Sequence, residues 1–178
     1  MAAKRTPSRT AKPTTNQETV RSKADPGPED ELSARIVQAA DALFYARGIN
    51  AVGMDEVRTS AGVSLKRLYT AFPGKEALIL AVLRFRHGIW ESGLEAAVEA
   101  ATTPHDRLLA IFDFLESWFA EPTFRGCGFI NAFGELGPGY PSIADYVREH
   151  KRSFRKRTDQ LVAAARARPC RRTGSARP

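Results

Sequence analysis

The run AGVSLKRLYTAFPGK, residues 61–75, holds the densest set of groups able to act on another molecule. Lys66 and Arg67 are adjacent cations, Ser64, Tyr69 and Thr70 carry hydroxyls, and Leu68 and Phe72 are apolar. At about 100° per residue on a helix, Leu68 and Phe72 fall about 40° apart, while Lys66 and Thr70 lie about 160° from Leu68. One face can therefore pack while the other offers hydrogen-bond donors suited to phosphates and guanine edges. A helix-turn-helix built only for structure would carry the same amphipathicity, so the spacing alone leaves both readings open.

Catalytic arrangements are missing by comparison. His87, His105 and His150 show no metal-ligand spacing with one another or with a cysteine or carboxylate. The stretch GCGFIN lacks the third glycine of a dinucleotide loop, and neither a Walker A run nor a G-x-S-x-G occurs. The sequence predicts a non-enzyme with no cofactor and no metal site. Cys127 and Cys170 form no C-x-x-C pair and are read as thiols of a reducing cytosol. No segment reaches the length of an apolar membrane span and no apolar signal core opens the chain, so a cytoplasmic protein without a membrane partner is expected.

The charge of +7 is unevenly spread. Residues 1–30 carry a net +2, residues 148–178 a net +9, and the segment between them a net −4. The basic excess thus sits at the ends, and a high pI by itself does not indicate nucleic-acid binding; the local pattern has to carry that reading.

The elements that must position the 61–75 run follow from periodicity. Residues 1–30, with Pro7, Pro13, Pro26 and Pro28 and few large apolar side chains, read as a disordered basic arm. Leu32, Ile36, Ala40, Leu43 and Phe44 recur at three- and four-residue spacing, which predicts an amphipathic helix over 31–47 ended by Gly48. A short helix over 54–61 follows, with Val57 and Ala61 on one face. Gly62 can take the left-handed backbone of a tight turn, Ser64 can cap the next helix, and Pro73 stops it after Phe72. Two helices joined by a short glycine-containing turn form a helix-turn-helix, whose second helix enters the DNA major groove.

Beyond Lys75 the pattern stays helical. Leu78, Val82, Phe85 and Ile89 are in register to about Ala100, with Gly88 and Gly93 expected to favour a bend. After Thr102, Thr103 and Pro104, two apolar stripes run along one segment: Leu108, Phe112, Leu115 and Phe119, and Ile111, Phe114 and Trp118. Such a helix is expected to be buried among others.

The stretch 34–83, ARIVQAADALFYARGINAVGMDEVRTSAGVSLKRLYTAFPGKEALILAVL, is similar to the DNA-binding region of the TetR family (TetR/AcrR type) of bacterial transcriptional regulators. The resemblance rests on Gly48, the Met54-Asp55-Glu56-Val57 opening, Ala61-Gly62-Val63-Ser64, Leu68-Tyr69, Phe72-Pro73 and Lys75-Glu76-Ala77-Leu78. A weaker likeness covers RGCGFINAFGELG, residues 125–137. The resemblance implies an all-α fold: a three-helix DNA-binding domain over 31–76, then a helical ligand-binding and dimerisation domain over 77–168. It implies base contacts by Leu65, Lys66 and Arg67 on double-stranded DNA. It places Gly53, Met54, Ser64, Tyr69, Thr70 and Lys75 on phosphates. It implies a homodimer on a palindromic operator, released by a small-molecule effector as a repressor, with activation as the alternative. Aromatics Trp90, Phe112, Trp118, Phe119, Phe129 and Phe133 then become pocket candidates, with Asn131 or Glu135 to orient a ligand; each reads equally as an ordinary core or surface residue.

Three departures from the family pattern stand out. Val52 and Gly53 occupy positions where threonine is usual, Arg58 follows Val57 and is expected to face solvent, and Asp55 replaces a base-contacting residue in some members. The basic tail, residues 169–178 (PCRRTGSARP), is interrupted by Pro169 and Gly174 and cannot form the family's last helix. The final dimer helix is therefore expected to be missing, and an impaired regulator with a monomeric DNA-binding head stands as the alternative.

Overall fold

In the computed structural model, residues 27–167 are described; they form seven α-helices and, among them, no strand. The helices are α1 (Pro28–Arg47), α2 (Met54–Ala61), α3 (Leu65–Ala71), α4 (Lys75–Ala100), α5 (Pro104–Phe119), α6 (Gly128–Leu136) and α7 (Pro141–Arg166). The all-α expectation holds. No helix among the described residues is long and apolar enough to cross a membrane. Most of the expected arm, the basic tail with Cys170, and residue 168 lie outside the described residues; Cys127 is a free thiol.

The local signals act where the sequence places them. Helix α1 begins three residues earlier than periodicity suggested. Pro28 sits in its first turn, and Glu29, Asp30 and Glu31 meet the positive end of the helix dipole. Polar residues at a helix start add nothing to an apolar stripe, so periodicity cannot see them. Gly48 ends the helix at φ 89°, its N–H donating to the Phe44 carbonyl at 2.9 Å. Gly62 ends α2 in the left-handed region at φ 63° and ψ 39°. Thr103 caps α5 by accepting from the Asp106 N–H at 3.1 Å. Helix α4 runs unbroken through Gly88 and Gly93. Gly93 instead permits close packing: a Cβ there would lie 2.8 Å from the Phe114 ring.

Two cores hold the helices. The larger one joins Ile36, Ala40 and Phe44 of α1, Val57, Leu68, and Leu78, Ile79 and Val82 of α4 to Phe129, Ala132 and Leu136 of α6 and Ile143 and Val147 of α7. The expected domain boundary at residues 76–77 thus falls inside α4, and α1, α2 and α3 share their core with α6 and α7. The smaller core is built from Leu94, Val98, Ile111 and Leu161, with Trp90, Phe114 and Phe154 against it. Helix α5 is not enclosed by its neighbours: Leu109, Phe112 and Phe119 stay exposed. Its Ile111 side packs inward and its Phe112 side faces away, because only one stripe of a helix can meet a single layer of neighbours.

Candidate nucleic-acid interface and ligand cavity

Helix α3 is fixed from below and left bare above. Leu68 is fully buried and Val63 and Phe72 are nearly so, anchoring one face on α1, α2 and α4. Burying Leu68 contributes about 1.5–3 kcal/mol. Ser64 accepts from the Arg67 N–H at 3.3 Å, which sets the first turn. Leu65, Lys66, Arg67, Tyr69 and Thr70 lie together on the exposed side. The Thr70 hydroxyl is already donated to the Lys66 carbonyl at 2.8 Å.

The remaining expected phosphate contacts are placed less openly. The Gly53 N–H donates to the Glu56 carboxylate at 3.3 Å, and Glu56 also pairs with Arg47. The Arg47 hydrogen bond, followed by the Gly53 one, holds Glu56 below the usual carboxylate range. Met54 is half-buried against the core. Lys75 is half-buried with its Nζ 5.9 Å above the Phe44 ring. Burial lowers its pKa, and Glu135 and Glu56 partly oppose that. Arg58 lies at the surface, as expected, and pairs there with Asp55 at 2.7 Å, three residues earlier on the same helix face. That hydrogen bond and the guanidinium charge lower the Asp55 pKa. The pair engages the carboxylate that stands where some family members have a base-contacting residue.

Sequence reasoning missed Arg35. An open groove of about 810 Å³ separates the start of α1 from α3, and Arg35 lines it opposite Ser64, Lys66, Arg67 and Thr70. Three cations thus share one concavity with the carboxylates of Glu29 and Glu31. Periodicity marks Arg35 only as polar; its partner helix is decided by the turn at Gly62.

A second cavity, of about 650 Å³, opens between α1, α4, α5 and α6. Of the expected pocket residues, Trp90, Trp118 and Phe129 line it. Phe112, Phe119, Phe133 and Asn131 do not. Phe112 is 64% exposed on the outer face of α5, and Phe119, 54% exposed, lies against Trp118 and Phe124. Phe133 is 41% exposed beneath Arg148. Asn131 donates to the Arg125 carbonyl at 3.0 Å, stabilising the loop before α6. Glu135, offered as a ligand orienter, instead fastens α6 to the α1–α2 loop. Its carboxylate accepts from the Asn50 N–H at 2.9 Å, and its carbonyl accepts from Asn50 Nδ2 at 3.3 Å.

The cavity's polar end was not foreseen. Asp41 and Tyr45 of α1 and Arg86 of α4 line it. Arg86 binds Asp41 through both Nε and Nη2, the latter at 3.2 Å, and its guanidinium lies 3.8 Å from the Tyr45 ring centre. Burial raises the Asp41 pKa, with Arg86 working against it. The signal was present: Asp41 and Tyr45 are four residues apart on a helix otherwise read for its apolar stripe, and Arg86 follows Phe85. Behind the wall, His150 is buried, stacked on Phe129 at 3.5 Å between centroids and joined Nδ1 to Nδ1 with His87 at 2.8 Å. Burial, then Lys151 and His87, lower its pKa to about 4. No group of three metal-ligating side chains occurs among the described residues.

With this geometry in place, likenesses to known proteins take on meaning. Residues 36–82 match the family described as bacterial regulatory proteins, tetR family. The chain is 40% identical over 93 residues to the HTH-type transcriptional activator FasR of Mycolicibacterium smegmatis, covering 50% of this chain and 42% of that protein. It is 36% identical over 101 residues to the HTH-type transcriptional regulator BetI of Brucella suis, covering 54% and 50%. The chain thus spans about half the length of the curated relatives it matches. Among solved structures, a TetR-family transcriptional regulator from Streptomyces coelicolor superposes with a TM-score of 0.71 at 32% identity, covering 75% of this chain and 71% of that one. A regulator from Cytophaga hutchinsonii superposes at 0.70 with 19% identity over 79% and 70%, a likeness of fold alone.

Proposed function

Since the chain belongs to the TetR family of bacterial regulatory proteins, we propose that it is a cytoplasmic, DNA-binding transcriptional regulator that answers a small molecule. The observation that carries this reading is the bare face of α3, where Leu65, Lys66, Arg67, Tyr69 and Thr70 project together from a helix anchored by Leu68. Lys66 and Arg67 hydrogen-bond base edges in the major groove, and Leu65 meets a thymine methyl. Tyr69 and Thr70 flank them at the backbone, with Ser64 and Met54 approaching phosphates through exposed or terminal backbone groups, while Gly53 reaches phosphate only by giving up the bond from its N–H to Glu56. Lys75 adds charge from the start of α4 more than a direct contact, because it is half-buried.

The switch follows from shared walls. The 650 Å³ cavity borrows Asp41, Ala42, Tyr45 and Ala46 from α1, which also carries the reading head's core. An effector there acts on the α1–α4 tie directly, and by linkage operator DNA opposes the effector to the same degree. As a homodimer the protein would present two α3 helices about 34–36 Å apart to a palindromic operator. Repression is the reading; activation, the role named for the Mycolicibacterium smegmatis relative, is the second.

The test is binding to operator DNA, selected from random duplexes, in the presence of competitor. Lys66→Ala and Arg67→Ala should each cost about 1–3 kcal/mol and relax base preference at one position. Unchanged specific affinity in both would remove α3 as the reading helix.

A further inference from the structure

The cavity is divided by chemistry. One end is aromatic, with Trp90, Phe114 and Trp118; the other holds Asp41, Arg86 and Arg125. What matters at the polar end is which hydrogen-bonding capacity is still unspent. The Tyr45 hydroxyl is committed twice: it donates to the Gly126 carbonyl at 2.8 Å and accepts from the Arg125 N–H at 2.9 Å. Each Asp41 oxygen accepts from Arg86. Arg86 is different. A guanidinium has five N–H donors, and Asp41 takes one on Nε and one on Nη2, which leaves the Nη1 edge uncommitted to that carboxylate. That edge lies beside Gly128, where a Cβ would come within 3.5 Å of Nη1 and 3.2 Å of Cδ, so the absence of a side chain keeps the approach open. The Tyr45 ring holds the guanidinium in place. The polar end is therefore an arrangement of fixed donors beside aromatic side chains, with exposed Arg125 as a second cation and exposed Glu121 as the opposing charge.

We propose that this cavity takes an amphipathic carboxylate, its apolar body against Trp90, Phe114 and Trp118 and its head on Arg86. The inference rests on the reading of this half as the effector-binding half and names the class of effector. Bound at the free Nη1 edge, the ligand's carboxylate becomes a second anion on a guanidinium that already holds Asp41. The two carboxylates repel each other and share one positive charge, so ligand binding weakens the Asp41–Arg86 bridge between α1 and α4. The chemistry of release is thus the sharing of one fixed cation between two anions.

Three probes of equal body and different head test this without DNA: phenylbutyrate, phenylbutyramide and phenylbutylamine, titrated calorimetrically into the full chain. Phenylbutyrate should bind at least about tenfold tighter than either of the others. Asp41→Asn should strengthen phenylbutyrate, because it removes the like charge that shares the guanidinium. Asp41→Asn with Arg86→Gln should abolish its advantage; the double variant is used because Arg86→Gln alone leaves a half-buried carboxylate without its cation. Amine binding equal to or tighter than carboxylate binding overturns the ligand class while leaving an effector cavity standing. Saturable binding by none of the three overturns both the class and the cavity's role. DNA binding by the same preparation reports separately on the reading head. Wild-type affinity for phenylbutyrate retained by the double variant, with its fold verified by circular dichroism, would also refute the assignment to Arg86.

Discussion

Glu135 offers a quantitative test of how the two halves are joined. Its carboxylate accepts from the Asn50 backbone N–H at 2.9 Å, and its own carbonyl is held by the Asn50 side chain at 3.3 Å. Lys75 lies close enough to feel its charge. Gly48, at φ 89°, brings the chain so near that a Cβ there would stand 3.3 Å from the carboxylate. A hydrogen bond to a charged group is worth about 1.5–3 kcal/mol. Asn50 is exposed, however, and water replaces part of what is lost, so Glu135→Ala should lower stability by only about 1 kcal/mol. Glu135→Gln keeps an acceptor without the charge and should fall between the two. The assay is urea denaturation of the three proteins, paired with amide exchange at Asn50 by NMR. Glu135→Ala should accelerate exchange at Asn50 while leaving the Leu68 amide protected. Stability and Asn50 exchange both unchanged would refute the claim that this bond ties α6 to the α1–α2 loop.

Other expectations follow from single features. His150 is kept neutral by burial, with a pKa of about 4 against 6.5 when exposed, so the unfolded chain takes up a proton the fold refuses. Stability should be level above pH 6.5 and fall by about 1–3 kcal/mol as the pH drops towards 4. His150→Gln should flatten that part of the melting-temperature profile, and an identical profile would contradict it. Leu68→Ala, which empties a fully buried site under α3, should cost about 2–5 kcal/mol in thermal or urea unfolding. Gly93→Ala forces a methyl to within 2.8 Å of the Phe114 ring and should cost about 1–3 kcal/mol, measured the same way; no loss would mean that α4 and α5 are packed less tightly there.

Short-range chemistry determined much of this protein. Gly62 and Ser64 act through their own backbone and the next few residues, so the turn, the cap and the exposed Lys66–Arg67 face could be read directly. Helices α2 and α4 end where their own turn residues and apolar stripes end them. Residue type alone could not say which side of α5 meets a neighbour. Phe112 and Trp118 are both large aromatics on one helix, yet one faces out and the other lines the cavity, because α4 and α7 pack on only one side of it. Likewise Glu135 reads as a ligand group until the fold brings Asn50, 85 residues away in sequence, within 2.9 Å of it. Asp41 and Arg86 are unremarkable polar positions 45 residues apart, and only helix packing joins them. Local conformation is set by neighbours along the chain, whereas a site assembled across helices exists only once the tertiary contacts choose each side chain's partner.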